Sequence, residues 1–214
     1  MSKMHTGKIN IAFDGNVFVG KTTFLKKLAK EKSFNYIPEH SDFLKVSNSA
    51  IEHRKTLPAA HLDFVRSDFL RIEYLKDGVN LLDRSFVSFS AFTYAFERMG
   101  QLDMRENFLG LLQDMLQKQR IVIPTHYIHL KSNYEIARQR FVQNKKQQTP
   151  DFLIEKFFFD YFDLYCKRWI QKAGGKEVEI LDENESIEAL DFISTPPKLI
   201  SNQEIFRFTS DLFY

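Results

Sequence analysis

Eight consecutive residues constrain this chain more than any other feature. Gly15-Asn16-Val17-Phe18-Val19-Gly20-Lys21-Thr22 fits the spacing G-x-x-x-x-G-K-[ST]. Residues 8–13 before it (KINIAF) are short, apolar and β-capable, which predicts a buried strand. After Lys21 the pattern turns helical, with Phe24, Leu25 and Leu28 on one side. A strand, a glycine-bounded turn and a helix are the context this spacing requires. The glycines let the backbone curl so that successive N–H groups point inward at phosphate oxygens. The helix N-terminus adds about half a positive charge at the same place. Lys21 is then expected on the outer phosphates, and the Thr22 hydroxyl on Mg²⁺. Phe18 is an unusual side chain inside such a loop, but its backbone N–H serves equally well. Thr23 either reaches the innermost phosphate or simply starts the helix.

Composition narrows the class further. Apolar residues make up 43% and charged residues 27% of 214, a globular balance that excludes a disordered or fibrous chain. A net charge of +2, from 30 basic and 28 acidic residues, gives no polyelectrolyte signal, so no polymeric nucleic acid is expected as partner. No run of 18 apolar residues is present, so no membrane span is expected. The start, MSKMHTGKIN, does not read as a secretion signal. The lone Cys166 suggests a reducing compartment, and a cytoplasmic location is expected. The six histidines show no zinc spacing. The 22 phenylalanines announce an aromatic core.

Strands and helices alternate along the rest of the chain. Further strands are predicted at 34–37, stopped by Pro38, and at 79–82, 127–130 and 178–181. Residues 41–57 read as a loop or a short irregular helix. Helices are predicted from Pro58 through the stripe Leu62, Val65, Phe69 and Ile72, around Phe89, Phe92 and Phe96, and over 102–118, 133–143, 151–172 and 186–193. The stretch 144–150 (NKKQQTP) reads as a loop. Pro196-Pro197 cuts off a tail without a clear period. Such alternation implies a parallel sheet with helices on both faces and a ligand site beyond the carboxyl ends of the strands.

FDGNVFVGKTTFLKKLA resembles the opening of deoxynucleoside kinases, where a Gly-Asn pair commonly begins the loop. LLDRSFVSFSAF resembles the Asp-Arg-x-x-x-Ser-x-x-Ala-aromatic segment of thymidylate kinases. IHLKSNYEIARQR and LDENESIEAL are similar to segments of the same superfamily, the P-loop nucleoside and nucleotide kinases, in order and spacing. The resemblance implies a three-layer α/β P-loop NTPase fold, with a five-stranded parallel sheet and a mobile lid. It divides the chain into a kinase-like domain at 1–194, with the lid at about 138–151, and a C-terminal tail at 195–214 packed on or extending from it. It implies a homodimer through the helices at 62–76 and 102–118.

The same resemblance assigns roles. Asp83 follows an apolar strand and so falls at the catalytic edge near Thr22, where a carboxylate holds Mg²⁺ directly or through water. Its alternative role is to cap the next helix. Arg84 is expected on the acceptor's reacting end or on phosphoryl charge. Glu39 matches the carboxylate that accepts the proton of a sugar hydroxyl, although His40 stands where the family usually has Pro. Arg66 matches the arginine that holds an acceptor phosphate. Arg71, five residues on, points about 140° away, so only one of the two reaches the cleft. Phe92 either stacks on a base or is plain core. Thr93 stands where thymidylate kinases often have Gln, and Phe89-Ser90 where deoxynucleoside kinases often have Asp-Arg. Arg138 and Arg140 are candidates for stabilising the transferring phosphate from the lid. They lie about 200° apart on a helix, so both cannot face inward. Lys145 and Lys146 either join them or are solvated. Adenine is expected between that helix and residues 182–185, with Asn184 or Ser186 otherwise a helix cap.

The activity expected is phosphoryl transfer from ATP, with Mg²⁺, to a nucleoside or a nucleoside monophosphate. A nucleoside needs a base such as Glu39; a monophosphate needs arginines such as Arg66, Arg71 and Arg84. Two other readings remain: a nucleotide-controlled ATPase or switch that meets a protein partner through the aromatic tail 205–214, and a kinase of another small hydroxyl compound.

Overall fold

The computed structural model describes residues 7–44, 57–144, 151–179 and 186–214. Strand β1 (Lys8–Asp14) runs into helix α1 (Lys21–Lys32), then β2 (Asn35–Ile37) and a short α2 (His40–Phe43). Next come α3 (Leu57–Arg66), α4 (Asp68–Ile72), β3 (Gly78–Asp83), α5 (Phe86–Arg98) and α6 (Arg105–Gln117). Strand β4 (His126–Lys131), α7 (Tyr134–Asn144), a 3₁₀ turn at Asp151–Ile154, α8 (Lys156–Ala173), β5 (Lys176–Glu179), α9 (Ser186–Ile193) and α10 (Asn202–Phe213) complete the chain.

The five strands form one parallel sheet in the order β2-β3-β1-β4-β5. The chain leaves β1 to one side for β2 and β3, then to the other for β4 and β5. The loop after β1 therefore opens at the switch point, where a sheet of this kind leaves a crevice. Register sets what reaches that edge: Phe13 pairs with Asp83, and Asp14 with His129.

Alternation along β1 separates two cores. Ile11 and Phe13 face Leu25 and Leu28 of α1, with Leu81, Ile128, Leu130 and Ala189. Ala12 faces the other side, where α5 and α8 pack on the sheet. A small residue suits that face because the rings there are large. Trp169 of α8 is fully buried, 4.9 Å from the Tyr127 ring and 5.3 Å from Phe86. Each such buried ring contributes roughly 1.5–3 kcal/mol by removal from water.

Two expectations need correction. The stripe Leu62, Val65, Phe69 and Ile72 does not run along one helix, because the chain breaks at Ser67. The Ser67 hydroxyl donates to the Phe64 carbonyl at 2.7 Å, a local bond that competes with the helical ladder. Beyond the break Phe69 is exposed, while Asp68 and Arg71 turn inward. The tail is also not aperiodic: α10 is a capped helix. Ser201 accepts from the Glu204 N–H, and Glu204 accepts from the Ser201 N–H. Its Ile205, Thr209 and Phe213 are buried, at four-residue spacing. Trp169 Nε1 donates to Thr209 Oγ1 at 3.1 Å, and Asn202 Nδ2 to the Leu116 carbonyl at 3.1 Å. No helix among the described residues is long and apolar enough to cross a membrane.

Candidate active site

The carboxyl ends of β1 and β3 build the centre of the site. Asp14 is fully buried and accepts four hydrogen bonds: from Ser85 N and Oγ (2.8 and 2.7 Å) and Ser88 N and Oγ (3.1 and 2.6 Å). It thereby holds the first turn of α5 against the loop, and a carboxylate is favoured at that helix end. The segment between them is strained, since Arg84 takes a φ of 70°. Arg71 holds it there. With no exposed surface, its guanidinium donates to the carbonyls of Arg84 (3.0 Å) and Asp83 (3.2 Å) and to Asp68 Oδ1 (3.0 Å). Asp68 in turn accepts from Val122 N at 2.6 Å.

The Gly15–Thr22 loop closes beside this centre. At Gly15 a Cβ would lie 2.3 Å from the Leu130 carbonyl oxygen, so no side chain fits. Gly20 takes a φ of 98° before α1. Asn16 turns its side chain away from the crevice, donating to the Phe159 carbonyl (2.9 Å) and Asp163 Oδ1 (2.8 Å) on α8. Val19 is buried against Ala137 and Phe159. Phe18, at a φ of 60°, packs edge-on against Phe141 of α7, 5.2 Å away, which accounts for a phenylalanine in the loop. Lys21 Nζ donates to the carbonyls of Gly15 (2.9 Å) and Asn16 (2.6 Å). Burial, aided by Arg84, brings its pKa down to about 7 against the pull of Asp83, Glu39 and Asp14.

Thr22 Oγ1 donates to Asp83 Oδ2 at 2.6 Å, and the Tyr36 hydroxyl reaches the same oxygen at 3.2 Å. Asp83 Oδ1 is buried without a hydrogen-bond partner among the described residues. A buried oxygen of that kind, beside a threonine hydroxyl, fits a hard cation that takes oxygen ligands.

Two cavities adjoin here. A polar one of about 370 Å³ is lined by Phe18, Gly20, Lys21, Thr22, Thr23 and Asn144. An aromatic one of about 290 Å³ is lined by His61, Phe64, Phe89, Phe92, Phe96 and Phe152. The latter is close to the lower end of the roughly 300–1,000 Å³ usual for small-molecule sites. Val17, Glu39, Arg84 and Leu153 line both. At this junction Arg84 Nε donates to Glu39 Oε2 at 3.3 Å, and Arg84 Nη1 to the Gly15 carbonyl at 2.9 Å. Burial alone would raise the Glu39 carboxyl; Arg84, the Ser41 hydroxyl and Lys21 outweigh it and hold it below the usual range. Phe92 sits 5.7 Å under the Arg84 guanidinium.

The remaining sequence candidates divide. Arg140 donates to the carbonyls of Val19 (2.8 Å) and Phe18 (3.4 Å), at the rim of the loop. Arg138 points outward, 60% exposed, 3.9 Å from Glu135. Arg66 does not reach the cleft: it is 57% exposed and pairs with Asp63 at 3.1 Å, because the helix containing it ends there. Lys145, Lys146 and residues 182–185 lie outside the described residues. Sequence reasoning gave no role to Asp14, His61 or Asp163. Asp14 had a local signal, an acidic residue just before the loop; the other two are joined to the site only by tertiary contacts.

The fold defined by this sheet order, loop and flanking helices is that of the P-loop nucleoside kinases. Among solved structures, deoxyadenosine kinase from M. mycoides with bound dCTP superposes with a TM-score of 0.64 at 13% identity, covering 86% of this chain and 97% of that one. The same enzyme with its products dCMP and dCDP gives 0.62 at 14% identity, and with dATP 0.61 at 15%, over the same shares of the chains. At this identity the likeness establishes the fold. No family model matches the chain, and no curated protein matches it by sequence.

Proposed function

We propose that this chain transfers a phosphoryl group from Mg-ATP to the sugar hydroxyl of a nucleoside. The observation that carries the reading is the Glu39–Arg84 pair, which stands where the aromatic cavity meets the polar one. In that arrangement the polar cavity takes the triphosphate and the aromatic cavity the nucleoside. Arg84 steadies charge on the group in transit, and Glu39 accepts the hydroxyl proton at Oε1 or Oε2. The low pKa direction of Glu39 keeps it ionised and able to accept. Lys21 and the loop amides grip the phosphates. Thr22 and Asp83 would hold Mg²⁺, which neutralises phosphate charge when bound. Arg140, at the loop rim, is the lid residue best placed to approach the nucleotide.

A nucleoside is favoured over a monophosphate by the arginines. Arg66 faces solvent, and Arg71 is fully buried with its terminal nitrogens turned to main-chain carbonyls and Asp68. The kinase neighbours, solved with dATP, dCTP and dCMP bound, are consistent with a nucleoside acceptor. The test is a panel of nucleosides and monophosphates with ATP and Mg²⁺, followed by product analysis. A phosphorylated nucleoside is expected, with Glu39→Gln lowering kcat about 10²–10⁴-fold. Phosphorylation of monophosphates alone would overturn the acceptor assignment. ATP hydrolysis with no phosphorylated acceptor would favour a switch or ATPase instead.

A further inference from the structure

Asp83 is held through one of its two oxygens. Thr22 Oγ1 donates to Oδ2 at 2.6 Å and the Tyr36 hydroxyl donates to it at 3.2 Å, while Oδ1 has no hydrogen-bond partner among the described residues. The two donors come from different elements: Thr22 from the first turn of α1, and Tyr36 from β2, the strand at the edge of the sheet. Register brings them together. Tyr36 is paired with Leu81, and Asp83 stands two residues further along β3, on the same face of the sheet as Leu81. That is the face α1 covers, where Tyr36 packs against the cluster of Leu25, Leu28 and Leu81. The Tyr36 side chain thus reaches across one strand to Asp83, with Lys26 Nζ 5.7 Å from its ring centroid.

This bonding pattern sets what Thr22 can do. A carboxylate offers no hydrogen, so the hydroxyl hydrogen of Thr22 is committed to Asp83. Its oxygen has only lone pairs to offer the polar cavity that Thr22 lines. That is the state in which a threonine oxygen accepts a hard cation. The state depends on where Asp83 Oδ2 stands. A carboxylate oxygen held by a single donor can swing about it, whereas donors on two separate elements fix its position. Tyr36 supplies the second donor.

Resting on the Mg-ATP reading above, we propose that Tyr36 is a positioning residue for the cation site: its hydroxyl fixes Asp83, and through Asp83 keeps the Thr22 oxygen free to take a divalent cation. Tyr36 lines neither cavity, so its effect falls on the metal's share of nucleotide binding and not on the nucleotide's own contacts.

The test is calorimetric binding of the β,γ-imido analogue of ATP, once with Mg²⁺ and once with EDTA. The ratio of the two affinities reads the metal's contribution, and the wild type is expected to bind more tightly with Mg²⁺. Tyr36→Phe keeps the ring and its packing on α1. It is expected to lower that ratio about tenfold and to leave the metal-free affinity within about twofold. In an Asp83→Asn background the same substitution is expected to change the ratio by less than about twofold, because the hydroxyl acts through that carboxylate. A loss undiminished in that background overturns the proposal. So does a loss of affinity that is equal with and without metal, the mark of a merely structural role. An unchanged ratio, a wild-type ratio of one, or failure of Tyr36→Phe to fold in a thermal melt overturns it as well. Metal-assisted binding that depends on Tyr36, without a phosphorylated product from any nucleoside, would instead remove the kinase reading and leave this one standing.

Discussion

Arg71 Nη1 donates to the carbonyl of Arg84 at 3.0 Å, so one fully buried guanidinium holds the backbone of another arginine in a left-handed conformation. The bond matters because Arg84 must leave β3 in that conformation for its side chain to cross to Glu39. Arg71 is also the partner of Asp68, itself buried. Replacing Arg71 by Met removes the cation and leaves that carboxylate with His40 and one amide. The expected cost is about 3–5 kcal/mol, measured by urea denaturation, the range for breaking one side of a buried pair.

On the proposed function, Lys21 is expected to make nucleotide binding a proton-linked event. With a pKa near 7, set by burial and then Arg84, about half of its molecules are charged at neutral pH. A polyphosphate favours the charged form. Binding is therefore expected to take up about one proton at pH 8 and almost none at pH 6. Calorimetry of ATP binding in buffers of different ionisation heat measures the uptake directly. Lys21→Met is expected to weaken binding and to abolish this pH dependence.

His129 ties stability to pH. Its ring is fully buried, with Nε2 at 3.2 Å from Asp163 and Nδ1 at 3.3 Å from Glu177. Burial disfavours its charge, but the two carboxylates outweigh burial and raise its pKa above 6.5. A raised folded pKa contributes stability that is complete below the unfolded value and lost as pH rises through the folded one. The His129 contribution, read as the difference in thermal midpoint between the wild type and His129→Gln, is thus expected to shrink as pH increases beyond about 6.5, against the opposite trend that the lowered Lys21 pKa imposes above pH 7. Lys131 and Lys167 lie on the far side of Glu177, at 3.6 and 4.0 Å, and keep it ionised across this window. Asp163 also holds Asn16, so the same titration is expected to loosen the Gly15–Thr22 loop.

The C-terminal helix is expected to be part of the cooperative core. Phe213 is fully buried, 5.6 Å from Tyr165 and 5.9 Å from Phe108. Phe213→Ala is expected to cost about 3–5 kcal/mol in denaturant unfolding. Tyr214, 72% exposed with its ring 4.9 Å from Arg105, provides the contrast: Tyr214→Ala is expected to cost no more than about 1 kcal/mol.

What the sequence determined by itself was local. The loop spacing, the glycines and the alternation of strand and helix depend on residues a few positions apart, and such patterns survive any arrangement of the rest. The same spacing excluded a shared inward face for Arg138 and Arg140, because helical geometry separates them. It could not say that Arg140 is the one that meets the loop, since that depends on how α7 lies against Phe18 and Val19. The C-terminal helix had a local signal, Ser201 three residues before Glu204, obscured because polar Thr209 stands in its buried stripe and finds its partner only in Trp169. At Ser67 a local hydroxyl bond interrupts the helix, but only tertiary structure decided that Arg66 then faces solvent while Arg71 turns inward to Asp68 and the main chain of residues 83–84. It also decided that His61 meets Thr93, 32 residues away. A buried polar group takes whichever partner the packing brings within about 3 Å, and no periodicity in the chain records that choice.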